Sequence, residues 1–287
     1  MTSTVKDESV HQGAQPKNDF STIASFYREK SLVQANAGKQ LIEQLEISPA
    51  SDILDVGCGT GNLTAELREI TSGRVAAIDP AEGMIRQAQD LYGNRDIDFR
   101  VGGGDVMEFD NEFDLIFCSS VFQWFREPSA TLANFARALR PGGKVGIQAP
   151  ATSRYCPNFL AAIARCRLAP RLAPLFAGFR APWYFLESAH EYRLLFEQAG
   201  FTVSHCRIDE MRQCCSVDKA IGIFNSGAAA GYLNQSYYSE QLPADFNELV
   251  REELRALFEE QADDSGELEL VFYRLFAVMR VRSIELT

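Results

Sequence analysis

Ile53-Leu54-Asp55-Val56-Gly57-Cys58-Gly59-Thr60-Gly61 is a short apolar segment that runs into three glycines at alternate positions. Its apolar part predicts a buried β-strand, and the helical spacing of residues 63–68 predicts that a helix follows the glycines. A glycine turn between a strand and a helix lets the backbone approach a ligand closely, while the helix N-terminus offers N–H groups and positive potential. The stretch therefore indicates the nucleotide-binding opening of an α/β fold.

The same alternation of strands and helices continues downstream. Helical spacing predicts helices at residues 83–92 and 130–139. Apolar runs predict strands at residues 74–78, 97–101, 113–118 and 144–148. Crossovers of this length are typical of a parallel sheet covered by helices on both faces. We therefore predict a doubly wound, Rossmann-like α/β fold whose ligands gather at the carboxyl ends of the strands.

The rest of the chain divides where the pattern changes. We interpret the polar residues 1–18 as a disordered leader and residues 19–150 as the α/β core with an N-terminal helix. Residues 151–185 contain helical pieces interrupted by prolines, which indicate an inserted lid above the strand ends. Residues 186–287 are expected to complete the core and to carry a helical insertion on the substrate side. Their predicted elements are helices at 189–198, 217–233 and 245–261 and strands at 201–206 and 268–281.

The composition argues against several classes of function. A formal net charge of -11 disfavours nucleic-acid binding, because that affinity comes from Lys and Arg releasing counterions from phosphates. No apolar stretch reaches the roughly 20 residues of a membrane span, and residues 1–18 contain no apolar signal-peptide core. The seven cysteines form neither a CxxC pair nor a zinc-ligand spacing. We therefore predict reduced thiols, no metal site and a cytoplasmic protein.

Acidic side chains at the predicted strand ends indicate the ligand. Asp55 directly precedes the glycines, where a carboxylate repels a pyrophosphate and attracts an ammonium group, and the spacing is G-x-G-x-G instead of the dinucleotide-binding G-x-G-x-x-G. Asp79 ends the second predicted strand, close to the position from which such folds bind ribose hydroxyls. Asp105, between Gly104 and Val106, can accept from an adenine amino group while Val106 covers the ring. These groups match the amino-acid end, ribose and adenine of S-adenosylmethionine (AdoMet).

An alternative interpretation assigns Asp55 and Asp79 to helix N-caps and the glycines to ordinary turns. It requires three separate strand ends to imitate a ligand contact by coincidence, so we expect AdoMet as the cofactor. Met84 is expected to cover the second face of the adenine. The predicted cofactor-binding residues are Asp55, Gly57, Cys58, Gly59, Gly61, Asp79, Pro80, Met84, Gly104, Asp105, Val106 and Ser119.

Five segments of the first half of the chain resemble the class I AdoMet-dependent methyltransferases, in that family's order: residues 54–61, 77–84, 104–106, 113–116 and 139–144. The resemblance implies a seven-stranded sheet whose last strand runs antiparallel between the fifth and the sixth. Within the family, FDLIFCSSVFQW (113–124), LLFEQAGF (194–201) and VFYRLFAVMR (271–280) are similar to the trans-aconitate and malonyl-carrier-protein O-methyltransferase types. Both types esterify carboxylates, which implies a small-molecule or carrier-bound acid as the acceptor.

A second resemblance concerns the acceptor site. Insect juvenile-hormone-acid and plant salicylate-type carboxyl methyltransferases carry Tyr and, seven residues later, Gln in an N-terminal helix, and Trp after the fourth strand. Their Gln amide and indole N–H hold the substrate carboxylate. Tyr27, Gln34 and Trp124 stand at matching positions, which implies substrate binding, although Lys30 departs from the plant pattern. A solvated helix position for Gln34 and a core aromatic for Trp124 are the alternatives.

No catalytic residue is predicted. A carboxylic acid is already ionised at neutral pH and needs no general base, and none of His11, His190 and His205 lies beside the predicted methyl site in sequence. The arginines of residues 151–185 either favour an acceptor with more than one carboxylate or a carrier phosphate, or they form a solvated helix face. Methylation of carbon, nitrogen or a phenol oxygen in a quinone-like or natural-product acceptor, or non-catalytic AdoMet binding, remain alternative functions.

Overall fold

The computed structural model describes residues 32–282, with side chains from residue 36 onward. The predicted leader lies outside the described residues. The strands are β1 (Ile53–Val56), β2 (Val75–Asp79), β3 (Asp98–Val101), β4 (Phe113–Ser119), β5 (Leu139–Pro150), β6 (Phe201–Ser216) and β7 (Glu267–Val281). The helices are α1 (Leu32–Leu45), α2 (Asn62–Ile70), α3 (Glu82–Tyr92), α4 (Pro128–Ala138), α5 (Pro157–Cys166), α6 (Ala173–Ala177), α7 (Ala189–Gln198), α8 (Val217–Ser226), α9 (Ala229–Tyr232) and α10 (Phe246–Gln261), with single 3-10 turns at Phe122–Trp124 and Gln235–Tyr237.

All seven strands form one sheet in the order β3-β2-β1-β4-β5-β7-β6. Strands β1 to β5 run parallel, and β7 lies antiparallel to both of its neighbours, β5 and β6. This arrangement confirms the predicted doubly wound fold, including the antiparallel last strand. Because parallel strands end at one edge of the sheet, the residues that follow β1, β2, β3 and β4 gather at that edge.

Helices cover both faces of the sheet because successive strand residues point to opposite sides. Leu54 and Val56 of β1 pack in a cluster with α4 and α7, whereas Ile53 packs with α1 and α2 on the other face. Helix α3 packs on that second face against β2 and β3. The sandwich fixes the strand ends from which the candidate site is built.

Two strands are longer than the sequence predicted. The fifth strand was expected at residues 144–148 and spans Leu139–Pro150, and the sixth was expected at residues 201–206 and spans Phe201–Ser216. The far half of β6 carries mostly polar, partly exposed side chains, so no apolar run marks it. It is a strand because it pairs with β7 over almost its whole length, from Phe201 opposite Val281 to Ser216 opposite Glu267.

The two predicted insertions pack together into one helical layer. Phe159 of α5, from the predicted lid, contacts Phe224 of α8 with ring centroids 5.3 Å apart and Phe258 of α10 at 6.0 Å. The same ring lies 5.8 Å from Phe272 of β7. The layer is therefore anchored on the extended β6–β7 pair, and a lid function for residues 151–185 stays a prediction. No helix within residues 32–282 is long and apolar enough to cross a membrane.

Candidate functional site

The glycine turn between β1 and α2 adopts a backbone that other residues rarely tolerate. Gly57, Gly59 and Gly61 have φ values of 76°, 54° and 82°. A Cβ atom at Gly57 would lie 2.1 Å from Cγ2 of Val121, because the segment after β4 packs directly against the turn. The glycines are thus required by backbone conformation and, at Gly57, by close packing.

Asp55 is a buried carboxylate at the carboxyl end of β1. It is 2% exposed, and its Oδ2 accepts a hydrogen bond of 2.6 Å from Thr64 Oγ1 of α2. Burial and, to a smaller extent, the nearby Asp79 raise the pKa of Asp55 to about 7, against the opposing effect of the Thr64 hydrogen bond. A cationic group beside Asp55 would remove this penalty, which suits an ammonium ligand.

Asp79 ends β2 and holds two turns in place. Its Oδ2 accepts from the Gly59 N–H and its Oδ1 from the Ala81 N–H, both at 2.9 Å. Burial raises the pKa of Asp79 to about 6, and these two backbone hydrogen bonds oppose the increase. The alternative that Asp55 and Asp79 are helix N-caps is wrong, because the N-caps of α2 and α3 are Gly61 and Ala81 and neither helix has a side-chain cap. A carboxylate still has further lone pairs with which to accept from ribose hydroxyls.

Thr60 supplies a direct test of whether the turn fits a ligand. Its side chain is 1% exposed, and its Oγ1 is buried without a hydrogen-bond partner. Buried polar atoms are rarely left unsatisfied, because the lost hydration is not recovered. Together with the two costly buried carboxylates and the glycine cradle, this atom fits a polar, cationic ligand such as AdoMet.

The other predicted cofactor residues lie around the same edge, and nothing in their placement tests ligand binding. Asp105 and Val106 follow β3 and are exposed, Val106 by 68%, while Asn134 Nδ2 donates to the carbonyl oxygens of Gly104 and Asp105. Pro80 is exposed, Cys58 is half-buried, and Met84 is buried in α3. Burial raises the pKa of the Cys58 thiol, with Asp55 and Asp79 adding to the increase, so Cys58 stays protonated. Each assignment remains a prediction.

The end of β4 forms a hydrogen-bonded junction. Gln148 of β5 is fully buried, and its Nε2 donates to Ser119 Oγ at 2.9 Å and to Ser120 Oγ at 2.8 Å. Ser120 has a φ of 62°, a left-handed conformation that persists only where the surroundings enforce it. The Ser120 N–H donates to the Gln148 carbonyl and its own carbonyl accepts from Gln123 Nε2. Ser119, a predicted cofactor contact, is therefore part of a rigid junction.

Sequence reasoning did not identify Arg274 as a site residue. This residue of β7 is 2% exposed; its Nε donates to Gln148 Oε1 at 2.8 Å and its Nη2 to Ser120 Oγ at 2.7 Å. The signal that could have revealed it is the position of the arginine inside the apolar run VFYRLFAVM, because charged side chains are almost never fully buried unless they are paired.

A cavity opens beside this junction, under the helical layer. Aromatic rings form much of its wall, and its lining includes Trp124, Tyr155, Trp183, Phe185, Phe272 and Arg274. Trp124 belongs to the 3-10 turn after β4, and its ring centroid lies 5.8 Å from that of Trp183. Trp124 thus lines a cavity and is not enclosed in the core. The cavity volume of about 70 Å³ holds roughly five to seven water-sized groups at ~10–15 Å³ each.

Two of the three predicted substrate residues cannot be located. Tyr27 lies outside the described residues, and Gln34 is described only as backbone of α1. The arginines of the predicted lid include two that pair with acids on the surface: Arg165 contacts Glu253 and Glu260 at 2.9 and 2.6 Å, and Arg171 pairs with Asp245. For these two, the solvated alternative holds.

Comparison with known families matches residues 54–147 to the family described as "Methyltransferase domain". This segment is a methyltransferase domain. It contains the glycine turn, both buried carboxylates and the Ser119–Ser120 junction, and the cofactor of the methyltransferase domain is AdoMet.

Relatives of known function share this region. The malonyl-acyl-carrier-protein O-methyltransferase of Acetivibrio thermocellus is 34% identical over 127 residues, which are 43% of this chain and 45% of the relative. The trans-aconitate 2-methyltransferase of Deinococcus radiodurans is 32% identical over 115 residues, which are 39% of this chain and 43% of the relative. The chain therefore spans less than half the length of these relatives.

Solved structures share the fold around the methyltransferase domain. A putative methyltransferase of Haloferax volcanii, solved in complex with the Trm112 activator, superposes with a TM-score of 0.57 at 18% identity over 93% of this chain and 99% of its own. A putative sarcosine dimethylglycine methyltransferase of Galdieria sulphuraria gives a TM-score of 0.53 at 17% identity, covering 88% and 87%. At this identity the likeness establishes the architecture alone.

Proposed function

We propose that this protein transfers the methyl group of AdoMet to the carboxylate of a small-molecule or carrier-bound acid. The observation that carries the proposal is the cavity beside Ser120, which combines aromatic walls, the indole of Trp124 and the buried guanidinium of Arg274. An indole N–H can donate to a carboxylate oxygen, and a hydrogen bond to a charged group is stronger where aromatic walls exclude water. The two relatives are named for acids, malonyl-acyl-carrier protein and trans-aconitate, which supports the same acceptor class.

On the donor side, we assign one acidic residue to each polar part of AdoMet. Asp55 pairs with the ammonium group, Asp79 accepts from the ribose hydroxyls, and Asp105 accepts from the adenine amino group. Burial raises the pKa of Asp55 and of Asp79, and a bound cation favours the ionised form of each. The remaining predicted residues line the cofactor or cover its adenine: Gly57, Cys58, Gly59, Gly61, Pro80, Met84, Gly104, Val106 and Ser119.

On the acceptor side, the protein aligns and desolvates the nucleophile. Bound AdoMet supplies an electrophilic methyl group on a sulfonium. Trp124, together with Gln34 and Tyr27, orients the reacting carboxylate through neutral donors, which leave more of its nucleophilicity than a cation does. The aromatic walls exclude water, and the cavity holds the two reactants at near-attack distance. No general base is required, because a carboxylic acid of pKa near 4 is ionised at neutral pH.

A methyl-transfer screen tests the proposal. Purified protein is incubated with radiolabelled AdoMet and mono-, di- and tricarboxylic acids or acyl-carrier-protein thioesters, and products are scored for label that mild alkali releases. We expect the wild-type protein to give alkali-labile label with at least one acid. The Asp79→Ala variant, in which the donor site is damaged, should give no label with any acid. Arg171→Gln, at a surface ion pair, is the matched control and should retain the signal.

The other outcomes identify the alternatives. Alkali-stable label with a quinone-like or phenolic acceptor would place the methyl group on carbon, nitrogen or a phenol oxygen. That result would overturn carboxyl methylation. Tight AdoMet binding without transfer to any acceptor class would instead favour a non-catalytic AdoMet-binding protein.

A further inference from the structure

Trp183 connects the aromatic walls of the acceptor cavity. It lines the cavity together with Trp124, Tyr155 and Phe185, and its ring centroid lies 5.8, 6.0 and 6.4 Å from the centroids of those rings. Aromatic rings attract each other at centroid separations of roughly 4.5–7 Å. The four side chains therefore form one continuous aromatic surface with Trp183 at its centre.

Contacts on two sides fix the position of the Trp183 ring. The neighbouring backbone is tied to the turn after β4, because the Tyr184 N–H donates to the Gln123 carbonyl oxygen at 2.8 Å. On the side of α9 the indole packs directly on Gly231, where a Cβ atom would lie 2.2 Å from Cζ2 of Trp183. The Tyr232 ring meets the same indole at a centroid distance of 4.8 Å and an interplanar angle of 64°. The wall therefore has a defined shape.

Gly231 is a glycine because of this indole. It is a buried residue of α9, and in a helical turn alanine is normally more favourable than glycine. No side chain fits at this position unless the Trp183 ring moves. Gly231 lies behind the indole, outside the cavity lining that the described residues form. It therefore determines how far the ring of Trp183 reaches into the cavity.

The cavity offers its guest mainly aromatic surface. Phe159 and Phe272 also contribute to the lining, and of the six aromatic residues only Trp124 lies within residues 54–147, the segment that matches the methyltransferase family. The cavity volume of about 70 Å³ holds roughly five to seven water-sized groups, which is close to one six-membered ring. An aromatic guest gains edge and face contacts with such walls, whereas a second carboxylate loses its hydration there.

We infer that Trp183 determines acceptor specificity, and that the methylated acid carries an aromatic ring that packs against Trp183 in this cavity. The inference rests on the proposed carboxyl methylation and adds what the non-reacting part of the acceptor is. Because Gly231 fixes the indole, the space admits about one six-membered ring.

Calorimetric titration of the protein saturated with S-adenosylhomocysteine measures acceptor binding without turnover. Benzoate is compared with cyclohexanecarboxylate, and phenylacetate with cyclohexylacetate, so that each pair differs only in the aromatic character of a ring of similar size. Succinate replaces the ring by a second carboxylate. We expect at least one aromatic acid to bind roughly threefold to tenfold more tightly than its saturated partner, and succinate to bind more weakly than both.

Substitutions of Trp183 assign the preference to its ring. Trp183→Leu should bind the aromatic and the saturated acid of each pair with equal affinity, because the aromatic contact is lost. Trp183→Phe should keep part of the preference, because a smaller ring remains. The Kd for AdoMet should stay unchanged in both variants, since Trp183 lies outside the predicted cofactor site.

Gly231→Ala tests the wall from outside the cavity. The added Cβ atom displaces the indole toward the guest, so the aromatic acid should bind roughly tenfold more weakly. Combining it with Trp183→Phe should recover part of this loss, because the smaller ring leaves room for the methyl group. Gly146→Ala is the matched control: its Cβ atom would meet Leu45 Cδ1 at 2.7 Å, and neither residue lines the cavity. This variant should keep the full preference for the aromatic acid.

The results separate this inference from the function on which it rests. Equal affinity of the wild-type protein for the aromatic and saturated acids in both pairs, or tighter binding of succinate, would overturn the aromatic assignment. Carboxyl methylation would stand in that case if any acid gave alkali-labile label. An unchanged preference in Trp183→Leu would overturn the role of Trp183. Absence of binding and of methylation for every acid would overturn carboxyl methylation itself. If Trp183→Leu does not fold, the wild-type ligand pairs and Gly231→Ala still decide the question.

Discussion

Arg274 Nη2 donates a hydrogen bond of 2.7 Å to Ser120 Oγ across 154 residues of sequence. The bond joins the antiparallel strand β7 to the end of β4, over the intervening β5, from which Gln148 contacts both residues. Ser120 adopts a left-handed backbone conformation at this point. That conformation costs about 1–2 kcal/mol for a residue with a side chain. This hydrogen-bonded junction is therefore built from three strands that only the fold brings together.

Removing the central amide should destabilise the protein in a way that a second substitution repairs. Gln148→Leu leaves buried donors and acceptors on Arg274 and Ser120 unsatisfied, so we expect the free energy of unfolding to fall by about 1–3 kcal/mol. Replacing both partners by apolar groups is usually less harmful, so Gln148→Leu with Arg274→Met should recover much of that loss in urea denaturation. Additive destabilisation in the double variant would show that the two side chains do not act as a pair.

Two glycines with nearly the same φ angle distinguish the cost of backbone strain from the cost of close packing. Gly57 and Gly142 have φ values of 76° and 77°, but a Cβ atom would meet Val121 at 2.1 Å in the first case and nothing within 4 Å in the second. Gly142→Ala should cost about 1 kcal/mol from the backbone alone. Gly57→Ala should cost about 1–3 kcal/mol more and weaken AdoMet binding. Urea denaturation and isothermal titration calorimetry measure the two effects.

A compensating change provides the control for the glycine prediction. Val121→Ala removes the methyl groups that the added Cβ atom would meet, so the Gly57→Ala, Val121→Ala double variant should be more stable than expected from the sum of the single effects. Equal losses in Gly57→Ala and Gly142→Ala would contradict a role for close packing at the turn.

AdoMet binding should depend on pH through Asp55. Burial raises the pKa of this carboxyl from 3.8 to about 7, so the ligand-free folded protein holds a proton that the unfolded chain has already released. That contribution to stability is therefore lost as pH rises from about 4 through 7. An ammonium ligand needs the ionised carboxylate, so AdoMet affinity should rise over the upper part of this range, with proton release in calorimetry in buffers of different ionisation enthalpy.

Asp55→Asn is the control for this pH dependence. It keeps the shape of the side chain but removes its titration, so AdoMet should bind more weakly and with a flatter pH profile. A profile in the variant as steep as that of the wild-type protein would assign the titration to another group, of which Asp79, with a pKa raised to about 6, is the first to examine.

Trp124→Phe separates the two halves of the site. The substitution keeps an aromatic wall but removes the indole N–H, and a hydrogen bond to a charged group is worth about 1.5–3 kcal/mol. We expect KM for the acid to rise by roughly tenfold to a hundredfold while the Kd for AdoMet stays unchanged. Steady-state kinetics and calorimetry measure the two constants, and an unchanged KM would remove Trp124 from the carboxylate site.

The glycine turn and its acidic neighbours were predictable because their determinants are local. Asp55 and the three glycines lie within seven residues, and a strand, a turn and a helix position them through backbone preferences that each segment carries in its own sequence. Asp79 could be added because the carboxyl ends of parallel strands meet at one edge of a sheet. The antiparallel position of β7 between β5 and β6 was implied by the resemblance to the class I methyltransferases.

The acceptor half was only partly predictable because its determinants are distant in sequence. Trp124 was identified from its place after β4, but the cavity that it lines also needs Trp183 and Phe272 from two other parts of the chain. The far half of β6 contains no apolar run, because many side chains of this edge strand are polar and partly exposed. In sequence such a segment resembles a loop. Its pairing with β7 supports the helical layer above the cavity.

The sequence by itself determined the α/β fold and the cofactor turn, because both follow from short-range patterns of apolar residues, glycines and acids. The tertiary structure alone decided which arginine lines the cavity. Arg165 and Arg171 stood out in sequence but pair with acids at the surface, while Arg274, in the middle of an apolar strand, faces the cavity. The physical reason is that the burial and the partners of a charged side chain depend on contacts between residues far apart in the chain.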